Sequence, residues 1–369
     1  HKMSQTKVEA PFVEGGGGST FKNLLINGDL KIAQRATSVA ISGSSDEYGN
    51  IDRWKCRLYN LGEFTVSQST TVPTGEGFVS SQKWDCTTAD TSPASTDYAI
   101  FEQRLEAQNL QHLVYGTYRA KSVTASFWVR SNKTGVFTVG LYAPDGSGAS
   151  QISSSYTINS ADTWEKKKIT FAGDTGGTID NDNGEGLRLW FWLGAGSNFS
   201  SGTQSTSWAS YAQANVIADN QVNLADSTDN EWYITGIQLE VGDDASDFEH
   251  LPQDVQFNRC CRYYYKIAEG NSVKLGDGAN YTSSQLYFPV FIPSKLRTTG
   301  SIGGVGGTGY FQFFRNGAAD PFDEITLWGT RDNLVYLRSV AGSISGTAGH
   351  GGMVSTANSS AVIEIGAEL

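Results

Sequence analysis

Hydrophobic and polar side chains alternate along several short segments of the chain, most clearly along residues 187–193. One face of this segment carries Leu187, Leu189, Phe191 and Leu193. The other face carries Arg188, Trp190 and Trp192. Because successive side chains of a β-strand point to opposite sides of the sheet, the alternation predicts a strand whose aliphatic face packs on a second sheet.

Two further segments predict strands of the same kind. In the segment 126–130, Phe127 and Val129 share one face, opposite Ser126, Trp128 and Arg130. In 231–241, one face carries Tyr233, Thr235, Ile237, Leu239 and Val241, and the other carries Trp232, Ile234, Gln238 and Glu240. With about ten such strands between residues 21 and 250, the pattern predicts a sandwich or jelly roll.

Turn residues and strand signals divide the chain into four predicted parts. Residues 1–20 form an N-terminal arm that ends in a flexible glycine run and serves either as an attachment peptide or as a loose tail. Residues 21–250 form the jelly roll, which a connector (251–266) joins to a smaller C-terminal β domain (267–369). The fold class is therefore all-β. Strands of the C-terminal domain are predicted at 285–291, 310–314, 325–327, 334–340 and 361–365. A short helix, or a strand running into a loop, fits 103–113.

The composition supports a β-sheet protein and limits the classes of partner that it can bind. The chain has 42 glycines and 12% aromatic residues, which suits many short strands joined by tight turns. Its net charge of −11 disfavours nucleic acid as a partner. We see no signal peptide and no apolar stretch long enough to enter a membrane, so we expect synthesis in a reducing cytoplasm.

The four cysteines fit neither a zinc site nor a dense disulfide framework. Cys56 and Cys86 each lie two residues after a tryptophan, Trp54 and Trp84, so each pair shares one face of a strand. We expect these faces to point inward and the cysteines to be buried free thiols.

Four motifs follow one another along residues 23–240. They are the opening segment 23–29 (NLLINGD), 116–118 with 126–129, 163–165 with 170–171, and the closing strand 234–240. In these motifs and their order, the chain resembles Ca-dependent jelly-roll carbohydrate-binding modules. A second set of segments carries a more specific resemblance: 23–35, 52–54, 101–106, 171–187, 190–197, 236–250, 259–266, 288–302 and 363–369. Through them, most of residues 21–369 resembles phage and prophage tail proteins that carry such a module.

The resemblance implies a virion tail-fibre or receptor-binding protein, commonly a homotrimer, whose N-terminal arm binds other tail proteins. The modules usually hold a calcium ion with a Glu just after the opening segment and an Asp early in the closing strand. Here those places read Leu30-Lys31 and Thr235-Gly236. Calcium needs oxygen ligands, so we expect no cofactor. The segment 180–184 (DNDNG) resembles a calcium loop only superficially and predicts a tight turn.

The tryptophan-bearing faces predict a platform for a glycan. An aromatic ring stacks on the apolar side of a sugar ring, while neighbouring Arg and Gln side chains hydrogen-bond its hydroxyls. The candidate ligand-binding residues are Trp128, Arg130, Arg188, Trp190, Trp192 and Gln238. Two alternatives stay open for the tryptophans: they pack between subunits of a trimer, or a helix or loop covers that sheet. The tyrosine run 263–265 is predicted to pack between the two domains or around a three-fold axis.

We expect a non-enzymatic phage protein that adheres to a host surface glycan or another envelope component. It would be assembled in the host cytoplasm and act on the virion. The sequence has neither a G-x-S-x-G nor an H-E-x-x-H motif. One alternative is a structural capsid or tail decoration protein that binds only virion partners. A polysaccharide depolymerase is the other, because glycoside hydrolysis needs only two suitably spaced carboxylates.

Overall fold

The computed structural model describes residues 21–146 and 148–369, so the predicted arm 1–20 lies outside the described residues. Strands dominate these ranges, and the all-β prediction is confirmed. The strands up to residue 241 are β1 (Ser38–Ile41), β2 (Ser44–Glu47), β3 (Lys55–Tyr59), β4 (Glu63–Ser69), β5 (Ser81–Thr88), β6 (Tyr98–Glu106), β7 (Val123–Ser131), β8 (Gly135–Ala143), β9 (Ser150–Ile158), β10 (Glu165–Phe171), β11 (Glu185–Ala195), β12 (Ala209–Ser210) and β13 (Glu231–Val241).

These strands form two antiparallel sheets that make the predicted sandwich. The first sheet has the order β1-β4-β5-β13-β7-β10, and the second has the order β12-β9-β8-β11-β6-β3-β2. Their inner faces enclose one hydrophobic cluster, in which the predicted inward residues of β11 are 0% exposed. Burial of each such large apolar side chain contributes about 1.5–3 kcal/mol relative to leaving it exposed, so the interior of the sandwich is the main source of its stability.

The predicted inward positions of two tryptophan–cysteine pairs are confirmed. Trp54, Cys56, Trp84 and Cys86 all belong to the sandwich core. All the cysteines of the chain are buried free thiols. Burial raises the pKa of the Cys86 thiol to about 11 and that of Cys261 to about 12, so both stay protonated at neutral pH.

Strand β13 departs from the predicted alternation because it contains a β-bulge. Its register against β7 shifts between Thr235 and Gln238. The residues that face the core are Trp232, Ile234, Ile237 and Leu239. The prediction that Ile237 and Leu239 oppose Trp232 and Ile234 was therefore wrong. At the bulge, Gly236 has a φ of +61°, and a Cβ atom there would lie 2.5 Å from the ring of Phe78.

The remaining strands build the C-terminal part of the chain. They are β14 (Tyr264–Glu269), β15 (Lys274–Thr282), β16 (Gln285–Phe291), β17 (Ser301–Val305), β18 (Phe311–Arg315), β19 (Ala318–Phe322), β20 (Ile325–Arg331), β21 (Leu334–Ser339), β22 (Gly351–Thr356) and β23 (Val362–Gly366). One sheet has the order β14-β23-β17, and the large C-terminal sheet has the order β19-β18-β22-β15-β16-β21-β20. Each of the five strands predicted after residue 267 is present. A second hydrophobic cluster, within residues 268–367, lies among them.

Helices are short. The α-helix α1 (Gln253–Cys261) precedes β14, and 3-10 turns occur at Ala107–Leu113, Ser197–Phe199, Gln213–Asn215 and Leu224–Asp226. The segment 103–113 thus combines both predicted alternatives, since β6 ends at Glu106 and a 3-10 turn follows. Among the described residues, no helix has the length and apolar character needed to cross a membrane.

A buried arginine joins the C-terminal strands to the sandwich. Arg53 is 1% exposed, and its guanidinium group donates to the carboxylate of Glu368 and, at 2.7 Å, to the carbonyl of Arg104. The same group lies 3.5 Å from the centre of the Tyr263 ring. Its partners therefore come from both parts of the chain, and a cation taken out of water depends on all of them.

The tyrosine run 263–265 lies at the same junction, as one of its two predicted placements requires. The Tyr263 hydroxyl donates to the buried carboxylate of Glu106 at 2.8 Å, and Arg262 Nε donates to it at 2.9 Å. Tyr264 donates to Glu364. Burial alone would raise the pKa of Glu106, but its hydrogen bonds to Arg262 and Tyr263 hold that pKa below the usual value. The carboxylate is therefore charged at neutral pH and fixes β6 to the C-terminal part.

Gly236→Ala is expected to destabilise the protein by about 1–3 kcal/mol, the usual cost of a non-glycine residue held in a left-handed conformation. The new methyl group would also collide with Phe78. Urea denaturation followed by tryptophan fluorescence measures the loss. Gly366→Ala is the control, because no atom lies within 4 Å of its Cβ position. Equal stability of the two variants would contradict the strained bulge.

Glu368→Gln is expected to lower the free energy of unfolding by roughly 3 kcal/mol, because the buried Arg53 loses its counter-charge. The matched control is Glu269→Gln. Glu269 pairs with Lys266 at 2.7 Å but has a side chain 60% exposed, so its loss should stay below about 1 kcal/mol. Differential scanning calorimetry measures both losses. Similar losses in the two variants would mean that the buried Arg53–Glu368 pair stabilises the protein no more than an exposed ion pair does.

Candidate functional site

The six residues predicted to bind a glycan lie on two opposite sides of the sandwich. The first sheet carries Trp128, Arg130 and Gln238. The second sheet carries Arg188, Trp190 and Trp192. Because the two sheets pack through their inner faces, their outer faces point away from each other. The structure therefore does not bring the six residues together into one platform.

Gln238 is not available to a ligand. Its side chain is 0% exposed. Its amide nitrogen donates to the Glu240 carboxylate at 2.9 Å, and its amide oxygen accepts the backbone N–H of Glu249 at 2.8 Å. Gln238 therefore holds the loop 243–250 against the first sheet, which corrects its prediction as a ligand-binding residue.

Trp128 and Arg130 are closer to solvent. Arg130 Nη2 donates to the Asp162 carboxylate at 2.8 Å, and its guanidinium lies 5.0 Å from the centre of the Tyr233 ring. Trp128 is half-buried in an open cleft of about 300 Å³. This cleft is also lined by Glu76, Phe78, Lys166, Asp247, Phe248 and His250. A glycan contact at these two residues stays a prediction.

Trp190 and Trp192 do not form an exposed face. They are 4% and 2% exposed because the segment 196–222 crosses the outer face of the second sheet. Within this cover, Gln221 Nε2 donates to the Trp192 carbonyl at 2.7 Å, and Phe199 packs 5.1 Å from the Trp192 ring centre. The prediction of a solvent-facing tryptophan platform is therefore corrected, and the alternative of a loop over the sheet holds.

The cover leaves a small opening of about 180 Å³, which we call the aromatic pocket. It is lined by Arg57, Tyr98, Ile100, Tyr142, Arg188, Trp190, Trp192, Phe199 and Tyr211. The Trp190 ring centre lies 5.4 Å from those of both Trp192 and Tyr142, and Tyr211, 40% exposed, lies 5.3 Å from Tyr142. The indole N–H groups of both tryptophans have no hydrogen-bond partner. Both nitrogens are closed to solvent, so these N–H groups do not open into the pocket.

A glycine of the neighbouring strand shapes the floor of the aromatic pocket. Gly140 of β8 stands opposite Trp190 of β11. A Cβ atom at Gly140 would lie 2.6 Å from the Trp190 indole nitrogen. The absence of a side chain therefore lets the indole ring lie close to the sheet, where it forms a wall of the pocket.

Two arginines at the aromatic pocket are held by a buried carboxylate. Glu102 is 0% exposed and lies 3.3 Å from Arg57 and 3.5 Å from Arg188. Arg188 also donates to Glu185 at 2.8 Å, and its guanidinium lies 5.0 Å from the Tyr142 ring centre. Burial alone would lower the pKa of Arg188, but the charge of Glu102 and the hydrogen bond to Glu185 raise it above its ordinary value. Both cations are thus fixed in position and charged.

Sequence reasoning missed the tyrosines of the aromatic pocket. Tyr142 could have been found, because the inward series Phe137, Val139 and Leu141 leaves Tyr142 on the outer face. Tyr211 carries no such signal, since it follows the two-residue strand β12 in a segment without periodicity. The covering segment itself was therefore not predictable from alternation.

The side chains present do not fit the calcium ion that the resemblance implies. The carboxylate of Asp29 lies 2.8 Å from the Lys31 ammonium group and accepts the Gln256 amide at 2.7 Å. A cation of the chain itself thus neutralises this carboxylate. In residues 21–146 and 148–369, no group of three or more His, Cys, Asp or Glu side chains is placed to hold a metal. In the segment 180–184, for which the sequence predicts a tight turn, the Gly184 N–H donates to Asp182 Oδ1 at 2.8 Å.

No protein-family model matches the chain, and no curated protein matches it. Among solved structures, it is similar to the enzymatically active domain of bacteriophage CBA120 tailspike protein 4, with 13% identity and a TM-score of 0.31 over 60% of this chain and 21% of that chain. It is also similar to the family 11 carbohydrate-binding module of the cellulase Lic26A-Cel5E of Clostridium thermocellum, with 12% identity and a TM-score of 0.29 over 56% of this chain and 98% of that chain. The module TmCBM61, solved with β-1,4-galactotriose, gives 11% identity and a TM-score of 0.27 over 60% of this chain and 100% of that chain. Scores this low carry no information on what this chain binds.

Proposed function

We propose that the chain is a non-catalytic glycan-binding protein and that the aromatic pocket is its sugar site. The observation that carries the proposal is the combination found there: aromatic walls set at an angle to one another and two fixed arginines, Arg57 and Arg188. Aromatic faces contact the C–H side of a sugar ring, and the N–H groups of arginine bind its hydroxyl oxygens. The two kinds of contact together suit a molecule that is apolar on its faces and polar at its edge.

The size of the aromatic pocket sets the size of the ligand. Its volume of about 180 Å³ is below the roughly 300–1,000 Å³ that is usual for drug-sized ligands. We infer that it accepts a single sugar residue, such as a chain end or a side branch, with Tyr211 at the mouth. Affinity of one such site is expected to be weak.

The proposal is binding without catalysis. Glycoside hydrolysis uses two carboxyl groups beside the bond that breaks. None of the described residues that line the aromatic pocket is an Asp or Glu. Beneath the pocket, Glu102 has its oxygens engaged by Arg57, Arg104 and Arg188 at 3.0–3.5 Å. A carboxylate held in this way serves to position the arginines.

We further propose that the chain acts in a phage virion as a tail-fibre or receptor-binding protein. Several copies, as in a homotrimer, would present the aromatic pocket repeatedly, and repeated weak sites on one particle give strong attachment. The N-terminal arm would connect each copy to other tail proteins. The buried free thiols agree with assembly in a reducing host cytoplasm before the virion acts at the host surface.

Tyr211→Ala is expected to weaken glycan binding about 5- to 10-fold, the loss for about 1–1.4 kcal/mol of ring contact. A glycan array that includes host envelope saccharides identifies a ligand, and titration calorimetry measures the change. Tyr211 is preferred to Trp192 because it is partly exposed, so its removal leaves the core intact.

The matched control is Tyr118→Ala, which removes a tyrosine that is 91% exposed and lies outside the aromatic pocket. This variant should bind as the wild type does. If no saccharide binds to either protein, a decoration role replaces the proposal. Release of reducing sugar from host polysaccharide would instead reveal an enzyme.

A further inference from the structure

The outer face of the large C-terminal sheet carries a row of four aromatic side chains, which we call the aromatic ladder: Tyr281, Tyr287, Trp328 and Tyr336. The Tyr287 ring centre lies 4.7 Å from that of Tyr281 and 5.0 Å from that of Trp328, which lies 5.9 Å from that of Tyr336. Tyr281 is 70% exposed and Trp328 is 59% exposed. The ladder is therefore a continuous aromatic surface open to solvent.

Strand geometry explains why these rings point outward. On β16, the neighbours of Tyr287 are Leu286 and Phe288, which are 0% and 2% exposed and belong to the second hydrophobic cluster. Trp328 lies at a register shift of β20 between Leu327 and Gly329. A bulge of this kind re-aims one side chain and is frequent beside binding sites.

The ladder crosses four adjacent strands, in the order β15, β16, β21 and β20. Three strand spacings correspond to about 14 Å. This length suits a short oligosaccharide, in contrast to the aromatic pocket. Contiguous exposed aromatic surface is uncommon on soluble proteins and marks a binding surface.

An arginine that pairs with no carboxylate among the described residues lies beside the ladder. Arg338 lies opposite Tyr287 on the neighbouring strand β21. It forms no ion pair with any described residue. Its nearest hydrogen-bonding contact is the Tyr287 hydroxyl at 3.5 Å, which is too long for a strong hydrogen bond. Its charge is therefore available to an acidic group on a ligand.

We propose that the aromatic ladder binds an acidic oligosaccharide. Sugar rings stack on Trp328 and the tyrosines, and a carboxylate of the saccharide pairs with Arg338. The three phenol hydroxyls supply donors and acceptors between the rings, which a ligand rich in hydroxyl groups can use. This site is separate from the aromatic pocket and stands whether or not that pocket binds sugar.

The test is titration calorimetry at low salt, with short oligogalacturonides as the acidic probe and the corresponding neutral galacto-oligosaccharides beside them. We expect the full-length protein to prefer the acidic series. Trp328→Ala should weaken binding of both series about tenfold or more. Arg338→Gln should remove the preference for the acidic series and leave neutral binding unchanged. Matched controls are Tyr118→Ala and Arg119→Gln, which alter exposed residues outside the ladder.

Three results would overturn the proposal. One is that neither the acidic nor the neutral saccharides bind to the protein. Another is acidic binding that falls with Tyr211→Ala but not with Trp328→Ala, which would place the saccharide in the aromatic pocket. The last is self-association in sedimentation velocity that Trp328→Ala abolishes while saccharide binding is unaffected, which would assign the ladder to a second copy of the chain.

Discussion

The arrangement of the molecule depends on one buried cation, Arg53. Its guanidinium group is out of water, so the chain must supply every partner, and these come from Arg104 in the sandwich and from Tyr263 and Glu368 in the C-terminal part. The backbone of Arg53 also adopts a φ of +72°. A non-glycine residue keeps such a conformation only where its surroundings determine it fully. Separation of the two parts would leave this buried charge without its counter-charge, which opposes their separation.

The second sheet shows how a cover turns a hydrophobic face into a selective opening. Both faces of β11 are buried, one in the sandwich core and the other beneath the segment 196–222. Trp190 and Trp192 therefore form the walls of the aromatic pocket and cannot act as a flat platform. A fully open aromatic face would accept ligands of many sizes, whereas an opening of about 180 Å³ admits only a small group.

Local alternation was enough to predict the sandwich and the inward face of 187–193, because burial of one face of a strand imposes a period of two. It failed at Trp232 and Ile234, which face the core because the extra residue at Gly236 shifts the register of β13. Gln238 keeps its predicted outward position, but the loop 243–250 covers it. An isolated glycine within a strand pattern was the available signal. The aromatic ladder was not foreseen, because Tyr287 and Trp328 meet only through strand pairing between distant segments. Alternation states which side chains point outward, but it does not show what covers them.

The arginines of the two proposed sites differ in a way that follows from their partners. In a chain of net charge −11, most cations find a carboxylate nearby. Arg188 forms ion pairs with Glu102 and Glu185, so its charge is already balanced. At the aromatic pocket it therefore holds its N–H donors and the neighbouring rings in position. Arg338 has no such partner among the described residues, so its charge remains free to discriminate between ligands. An unbalanced cation within an acidic protein acts over a short range, because screening confines its attraction to within about 10 Å. Arg338 can therefore distinguish an acidic from a neutral saccharide only after the sugar rings have stacked on the ladder and brought a carboxylate close to it.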